Sequence, residues 1–173
     1  MEAEKLGSSV IEINRVNGRL MVIKVKVGKR IINVPSAYAP QVGLSKKLKE
    51  NFWDDVLSVI LDLSGTGFVV LAGDLNGHVC ASADGYEGVH GGYGYSRRNL
   101  EGEYILEAGV ALNMVVCKTK FRKRVNHLIT YSSGGTSSQI DYFLISRNYF
   151  KRVLDVKSHP RRRNFLPAQA SCL

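Results

Sequence analysis

The sequence predicts an α/β domain, because strand patterns and amphipathic helix patterns follow one another along the chain. Residues 20–27 read LMVIKVKV and alternate between apolar and basic side chains toward their end, which is typical of a strand. A helix pattern covers residues 45–62, and residues 68–72 form an apolar run that fits a strand buried on both faces. The 173 residues suit one domain with a real core.

The first half of the chain is expected to begin with antiparallel strands at residues 11–16, 20–27 and 31–38. Pro35 lacks a backbone N–H, so it predicts a sheet edge, a bulge or the end of the third strand. Ser45 is expected to cap the first helix. The apolar positions of this helix recur at helical spacing and should face the core: Leu48, Phe52, Val56, Val59 and Leu63.

The second half has weaker patterns. Residues 73–99 are polar and glycine-rich and predict a long surface loop, after which Asn99 is expected to cap a second helix. Short strands are expected at residues 112–117, 128–131, 140–145 and 153–156. The domain is therefore placed at residues 1–157, and residues 158–173 are expected to form a basic, unstructured tail.

The net charge of +9 comes from 24 basic and 15 acidic residues. Such a surplus favours polyanionic partners such as nucleic acid, although a basic soluble domain without such a partner has the same composition. Residues 118–124, KTKFRKR, carry the candidate nucleic-acid-binding side chains Arg122, Lys123 and Arg124. A solvated surface is the alternative interpretation of this segment.

The cysteines and the N-terminal residues indicate the cellular compartment in which the protein is expected. Three cysteines occur without a CxxC spacing, which favours a reducing environment. The N-terminal residues are charged and unlike a signal peptide, and no apolar run reaches the length of a membrane span. We expect an intracellular protein, with the nucleus as a candidate location and no membrane partner, whose oligomeric state is open.

The strongest local motif is residues 73–77, GDLNG, at the end of the apolar run. A buried strand would deliver Asp74 and Asn76 to its exposed end, and the alternating pair would share one side of an extended segment. Such a pair suits phosphodiester hydrolysis, in which a carboxylate activates water and an amide donates hydrogen bonds to phosphate. An Asx turn that closes the strand is the structural alternative.

Two further motifs contain polar side chains in apolar surroundings. Asp141 lies within QIDYFLI, where a buried carboxylate needs a histidine, a metal ion or backbone donors, unless it simply faces water at a strand end. Tyr38 ends a strand two residues before Pro40 and either packs there or hydrogen-bonds to a phosphate or a bound water.

These motifs, in this order, resemble the endonuclease/exonuclease/phosphatase superfamily. The segments SAYAPQVG, GDLNGHV, GYEGVHGGYGYSRRN, HLITYSSGG and SSQIDYFL are similar to the craniofacial development protein 2-like group, a set of nuclease domains related to non-LTR retrotransposon endonucleases. The resemblance covers residues 10–157. It implies a four-layer α/β sandwich of two packed mixed β-sheets flanked by helices, and a Mg²⁺-dependent endonuclease that acts on DNA.

The resemblance also implies a role for each matching residue. Asp74 would activate the attacking water, and Asn76 would hold the scissile phosphate and Asp74. Tyr38 would contact the phosphate or a metal-bound water, and Asp141 would orient the family's catalytic histidine. Asp74 and Asn76 would contact the metal, with Mg²⁺ expected and Mn²⁺ as its substitute, because hard cations prefer oxygen ligands. Thr130 and Tyr131 match a pair that supports the site.

The resemblance is incomplete at both termini. The first strands of the family, with their metal-binding Glu, have no match here, and Ser158-His159-Pro160 lacks the Asp of the family's C-terminal Ser-Asp-His. We therefore expect a sandwich that lacks peripheral strands, and impaired catalysis, because loss of one such element removes orders of magnitude in rate. The alternative function is a non-catalytic, basic remnant that binds nucleic acid.

Overall fold

The structure is a computed structural model that describes residues 7, 9–156 and 158. Its elements follow the chain in this order: β1 (Val10–Arg15), β2 (Leu20–Val27), β3 (Arg30–Tyr38), α1 (Lys46–Leu63), β4 (Phe68–Asp74), α2 (Leu100–Ala111), β5 (Met114–Val116), β6 (Tyr131–Ser133), β7 (Thr136–Ser138), β8 (Asp141–Ser146) and α3 (Arg147–Phe150). Single 3₁₀ turns cover Cys117–Lys120 and Val125–His127.

Six strands form one mixed sheet in the order β1-β2-β3-β4-β8-β5. The β3–β4 pair, which α1 connects, is parallel, and the other four pairs are antiparallel. Strands β6 and β7 form a separate hairpin. The expected α/β class with a mixed sheet is confirmed, and the described residues supply one large sheet and this small second one.

Helices α1 and α2 cover one face of the large sheet. Ser45 caps α1 by accepting a hydrogen bond from the Leu48 backbone N–H, and Asn99 caps α2 in the same way through Gly102, as the sequence predicts. The core between sheet and helices includes the buried side chains of Phe52 and Val56. Leu48 was expected there but is exposed, because it lies on the outer side of the first turn of α1.

The other face of the sheet, called the open face here, carries the alternate side chains of the same strands. Val115 and Ile145 are buried on it by α3 and residues 151–156, together with Phe68 and Val70. Phe143, farther from α3, is 47% exposed. The open face is therefore apolar, and the described residues cover only part of it.

Several predicted elements differ from the structure. Pro35 lies inside β3, between β2 and β4, and not at an edge, a bulge or a strand end. The register between β3 and β4 runs past it, with partners at residues 32–33 and 36–38. Residues 128–130 and 153–156 form no strand. Their backbones turn or run irregularly, and Val153 and Val156 pack against the open face instead of pairing with the sheet.

The 75–99 loop is not a surface loop throughout, because Leu75, Val79, Val89 and His90 are buried. The His90 ring is hydrogen-bonded to the Cys80 carbonyl (3.2 Å) and accepts from the Gly92 N–H (3.0 Å). Burial lowers the pKa of His90 to about 4, so the ring is neutral at pH 7 and stabilises the loop as a hydrogen-bonding group.

The expected basic tail lies outside the described residues from residue 159 onward. Within the described part of the chain, no helix combines the length and the hydropathy that crossing a bilayer requires.

Candidate active site

Three of the four predicted site residues lie in one row across neighbouring strands. Tyr38 on β3 is the register partner of Asp74 on β4, and Asp74 is the partner of Asp141 on β8. Directly paired residues point to the same side of a sheet, with Cβ atoms about 5 Å apart in an antiparallel pair. The row therefore brings a phenol and two carboxylates together.

The row lies on the open face, at one end of the sheet. The neighbours Ala37 and Tyr142 point into the helix-covered core, so the next residues along these strands point the opposite way. Tyr38 and Asp74 also end the parallel strands β3 and β4. The carboxyl ends of parallel strands are where open α/β sheets usually bind ligands.

The Asp74 carboxylate is held by the turn that follows it. Its Oδ1 atom accepts a hydrogen bond from the Asn76 backbone N–H at 3.0 Å, which makes an Asx turn. Burial raises the pKa of Asp74, the hydrogen bond from Asn76 lowers it, and the negative charge of Asp141 raises it further. The net shift is upward, so this carboxyl is a better proton acceptor than an ordinary aspartate.

Asn76 does not continue the strand, and the expected extended Asp-x-Asn alternation is wrong. Its φ is +48°, in the left-handed region, because the Asx turn reverses the chain directly after Asp74. The Asn76 side-chain Nδ2 donates to the Ala39 carbonyl at 2.8 Å. Asn76 therefore ties the ends of β3 and β4 together beside the row, and its contacts are with protein backbone.

Gly73 is required next to the row by close packing. Its φ is +146°, and a Cβ atom there would collide with the Ala37 carbonyl oxygen on β3. Glycine, which has no Cβ atom, permits the tight backbone at this strand end.

Tyr38 is 45% exposed, so its phenol is accessible at the surface of the row. The Gln41 side chain donates to its hydroxyl oxygen at 3.4 Å. The Arg19 guanidinium lies over the ring, 5.4 Å from its centroid, and Arg19 Nη1 donates to the Tyr38 carbonyl at 3.3 Å. Gln41 reaches Tyr38 from the loop three residues farther along the chain, whereas Arg19 is brought to Tyr38 by the β2–β3 pairing.

Asp141 is positioned through its backbone. The Thr130 hydroxyl oxygen accepts from the N–H groups of Ile140 (3.0 Å) and Asp141 (3.1 Å), which agrees with the supporting role expected for Thr130. Tyr131, the other member of that pair, is exposed on β6. The family's catalytic histidine, which Asp141 would orient, was expected to be missing from this chain, and His159 lies outside the described residues.

Gln139 is a buried polar residue that the sequence analysis did not single out. It is 1% exposed, and neither its Nε2 nor its Oε1 has a hydrogen-bond partner. Its backbone carbonyl and that of Gly77 lie within hydrogen-bonding distance of the Tyr142 hydroxyl, at 2.6 and 2.9 Å. Gln139 therefore lies beneath the Asp74 turn, on the core side of the row.

The basic segment at residues 118–124 divides into buried and exposed parts. Lys118 is 3% exposed, and its Nζ donates to the Leu128 carbonyl (3.2 Å) and the Ser158 hydroxyl (2.6 Å). Burial lowers the pKa of Lys118 to about 8, against the raising effect of Asp141. Lys118 is thus not part of a solvated surface.

The three predicted nucleic-acid-binding residues follow on the same segment. Lys123 forms an ion pair with Asp155 and lies near the Phe121 ring. Arg122 and Arg124 are exposed. Two of the three side chains are therefore accessible to a partner, and the third is engaged within the protein.

Comparison with known proteins rests on structure. No family model and no curated protein sequence matches the chain. The endonuclease domain of TRAS1, a telomere-specific non-LTR retrotransposon, superimposes with a TM-score of 0.52 at 13% identity, over 77% of this chain and 52% of that one. The AP endonuclease LMAP from Leishmania major superimposes with a TM-score of 0.59 at 15% identity, over 85% of this chain and 51% of that one. This chain has the endonuclease/exonuclease/phosphatase fold.

An endonuclease/exonuclease/phosphatase family protein from Leptotrichia buccalis is also similar, with a TM-score of 0.48 at 12% identity, over 74% of this chain and 41% of that one. The chain spans about half the length of the first two structures. The fold that the motifs predicted is confirmed, and the narrower craniofacial development protein 2-like group stays a prediction.

In this chain with the endonuclease/exonuclease/phosphatase fold, the row supplies carboxylate oxygens as ligands for a metal ion. Among the described residues, no three His, Cys, Asp or Glu side chains cluster, so the donor set is the Asp74–Asp141 pair. Mg²⁺ usually keeps several waters and is bound by one or two carboxylates together with substrate phosphate. Two facing carboxylates, one with a raised pKa, fit that requirement, whereas the Asn76 side chain is turned toward Ala39.

Proposed function

We propose that the chain is a phosphodiester hydrolase domain of the endonuclease kind, acting on the backbone of nucleic acid, with DNA as its substrate. The observation that carries the proposal is the Tyr38–Asp74–Asp141 row at the carboxyl ends of two parallel strands. A phenol and paired carboxylates on an accessible sheet face suit a reaction that activates water beside a phosphate.

Each residue has a distinct task in this proposal. The Asp74 carboxylate, oriented by the Asn76 N–H, accepts a proton from the attacking water. The Tyr38 hydroxyl donates a hydrogen bond to a phosphate oxygen. Asp74 and Asp141 would hold Mg²⁺, or Mn²⁺ in its place, and the ion would supply charge neutralisation for the phosphate.

The decisive experiment is nicking of supercoiled plasmid in the presence of Mg²⁺. Asp74→Asn preserves the size of the side chain and an oxygen acceptor for the Asn76 N–H, but it removes the base. We expect its nicking rate to fall about 100-fold or more. Asp54→Asn, at an exposed position on α1, is the matched control and should nick at the rate of the unmodified chain.

Two results would reject the enzymatic proposal: no nicking by the unmodified chain, or equal nicking by the chain and Asp74→Asn. Either one favours the second candidate function, a non-catalytic nucleic-acid-binding domain. The net charge of +9, together with a donor set of only two carboxylates in the described part of the chain, supports that alternative. It predicts DNA binding that weakens steeply with salt, without cleavage.

We also propose an origin and a location on less direct grounds. The motifs around the glycine-rich loop support descent from a retrotransposon endonuclease of the craniofacial development protein 2-like group. The basic composition suits an intracellular, nuclear protein. Colocalisation of a tagged chain with chromatin would test the location, and exclusion from the nucleus would reject it.

A further inference from the structure

Arg19 directly precedes β2 and lies beside the row. Leu20, the first residue of β2, is the register partner of Ala37, and both face the core. Arg19, which directly precedes β2, therefore lies opposite Tyr38, and the Tyr38 N–H donates to the Arg19 carbonyl at 2.9 Å. Since side chains alternate along a strand, Arg19 is on the open face beside Tyr38.

Contacts on both sides hold Arg19 in this place. Its guanidinium lies over the Tyr38 ring, and Nη1 donates to the Tyr38 carbonyl. Its own N–H donates to the Asn17 side-chain oxygen at 2.8 Å, and the Asn17 amide donates to Asp55 on α1 at 2.8 Å. The turn between β1 and β2 is thereby anchored to α1, and the cation is presented from a fixed backbone.

Within the part of the chain that the structure describes, no side chain neutralises the charge of Arg19. Among the described residues, the ion pairs join other side chains, and no carboxylate pairs with Arg19. A guanidinium has five N–H donors in a planar fork that matches phosphate oxygens. Toward the described residues, Arg19 uses one of these donors, in the hydrogen bond from Nη1 to the Tyr38 carbonyl. Arg19 is partly exposed, so its side chain reaches solvent on the open face.

We propose that Arg19 is the phosphate-binding residue of this site and contacts a backbone phosphate of the nucleic acid next to the Asp74–Asp141 pair. Neighbouring strands lie about 4.8 Å apart, so Arg19 is about 10 Å from Asp74 between Cα atoms. The long side chain over Tyr38 spans part of that distance. A phosphate above Tyr38 is thus flanked by a cation on one side and the carboxylate pair on the other.

This inference rests on the proposed function and specifies its substrate class. A guanidinium on a phosphate reads no base, so the site recognises the backbone independently of sequence. Arg19 also places a positive charge beside the two negatively charged carboxylates of the row.

The test measures DNA binding separately from cleavage. Fluorescence anisotropy of a labelled duplex oligonucleotide in EDTA gives the dissociation constants of the full chain and of Arg19→Met, Arg19→Lys and Arg30→Met. Arg30 is the matched control, because it is exposed at the far end of β3, about 26 Å from Tyr38. Plasmid nicking with Mg²⁺ is measured on the same proteins.

Arg19→Met is expected to bind about ten-fold more weakly, because it loses a charge-assisted hydrogen bond. The slope of log K against log salt should become shallower by about 0.9, the value for one phosphate contact. Arg19→Lys should recover part of the affinity, since it keeps the charge without the planar fork. Arg30→Met should bind as the unmodified chain does.

Equal effects of Arg19→Met and Arg30→Met on binding would overturn the inference, and so would absence of DNA binding by the unmodified chain. If the unmodified chain binds DNA in an Arg19-dependent way but does not nick plasmid, only the enzymatic proposal is rejected. The role of Arg19 in binding DNA is then supported. Melting temperatures of the four proteins within about 2 °C of one another would exclude a purely structural effect.

Discussion

Because the carboxylates of Asp74 and Asp141 face each other, we expect the site without a bound cation to destabilise the folded chain. Like charges directly opposite in an antiparallel pair cost roughly 0.2–1 kcal/mol. Asp74→Asn removes this repulsion and keeps an oxygen acceptor for the Asn76 N–H. In metal-free buffer at pH 7 we therefore expect the variant to be more stable by about 0.5 kcal/mol. That corresponds to a rise of about 1–2 °C in the melting temperature of a domain of this size.

The extra stability of Asp74→Asn over the unmodified chain should depend on pH. The pKa of Asp74 is raised in the folded chain, first by burial and then by Asp141. The contribution of Asp74 to stability is therefore fully present below 3.8, the ordinary pKa of an aspartate, and is lost as the pH rises through the higher pKa of the folded chain. The advantage of Asp74→Asn should thus be largest at neutral pH and should vanish near pH 3.5.

A divalent cation should reverse the order of stability. At a Mg²⁺ concentration ten times its dissociation constant, binding to the folded state adds about 1.4 kcal/mol, or about 3–6 °C. We expect this gain in the unmodified chain and its loss in Asp74→Asn and Asp141→Asn. Asp54→Asn, the exposed control on α1, should retain it.

Differential scanning fluorimetry over a Mg²⁺ titration, with EDTA as the reference, measures each of these effects. The reasoning about the row is refuted if Asp74→Asn is less stable than the unmodified chain in EDTA. It is equally refuted if Mg²⁺ raises the melting temperatures of the two row variants as much as that of Asp54→Asn.

Three further substitutions test buried polar groups by urea unfolding. Lys49→Met leaves the Glu101 carboxylate buried without its 2.7 Å partner and should cost about 3–5 kcal/mol; a cost under about 1 kcal/mol contradicts the importance of this ion pair. Gln139→Met removes two unsatisfied amide atoms and should leave the free energy of unfolding unchanged or slightly higher, so that a clear loss would reveal a partner for the amide. The pKa of Lys118 is lowered to about 8 in the folded chain, so the unfolded chain binds more protons between pH 8 and 10.5. The free energy of unfolding of the unmodified chain, relative to that of Lys118→Met, should therefore rise across that interval. If this relative free energy stays constant with pH, the lowered pKa is contradicted.

Local patterns allowed much of the fold to be predicted from the sequence. The caps Ser45 and Asn99 depend on side chains that bond to their own chain three residues away, so they are visible in the sequence. The strands at β2 and β4 follow from apolar runs and alternation. These features require no knowledge of distant neighbours.

Tertiary effects explain what the sequence analysis missed. Lys118 belongs to a run of basic residues that is typical of a solvated surface, yet the turn after β5 places it under Leu128 and Ser158. Arg19 follows a glycine in a turn and gives no local signal. Only the β2–β3 register, together with the packing of the turn against α1, places it beside Tyr38.

The motif residues themselves were predictable, but their geometry was only partly so. Asp74 and Asp141 were singled out because a carboxylate at the end of an apolar strand requires an explanation. Asn76 was expected on an extended segment, and the structure instead places it in a left-handed turn. An Asx turn was the alternative interpretation of the GDLNG motif. In the structure this turn is present, and it positions the Asp74 carboxylate of the candidate site.

The pairing that stabilises the sheet also assembles the row. A slip of one residue between β3 and β4 would turn Asp74 toward the core and Gly73 toward the open face, because side chains alternate along a strand. Gly73 opposes such a slip, since only a residue without Cβ fits against the Ala37 carbonyl. The buried neighbours Leu71 and Tyr142 reinforce the register from the helix-covered face. The residues that determine the register of β4 against both of its neighbours are therefore the ones that place Tyr38, Asp74 and Asp141 in one row.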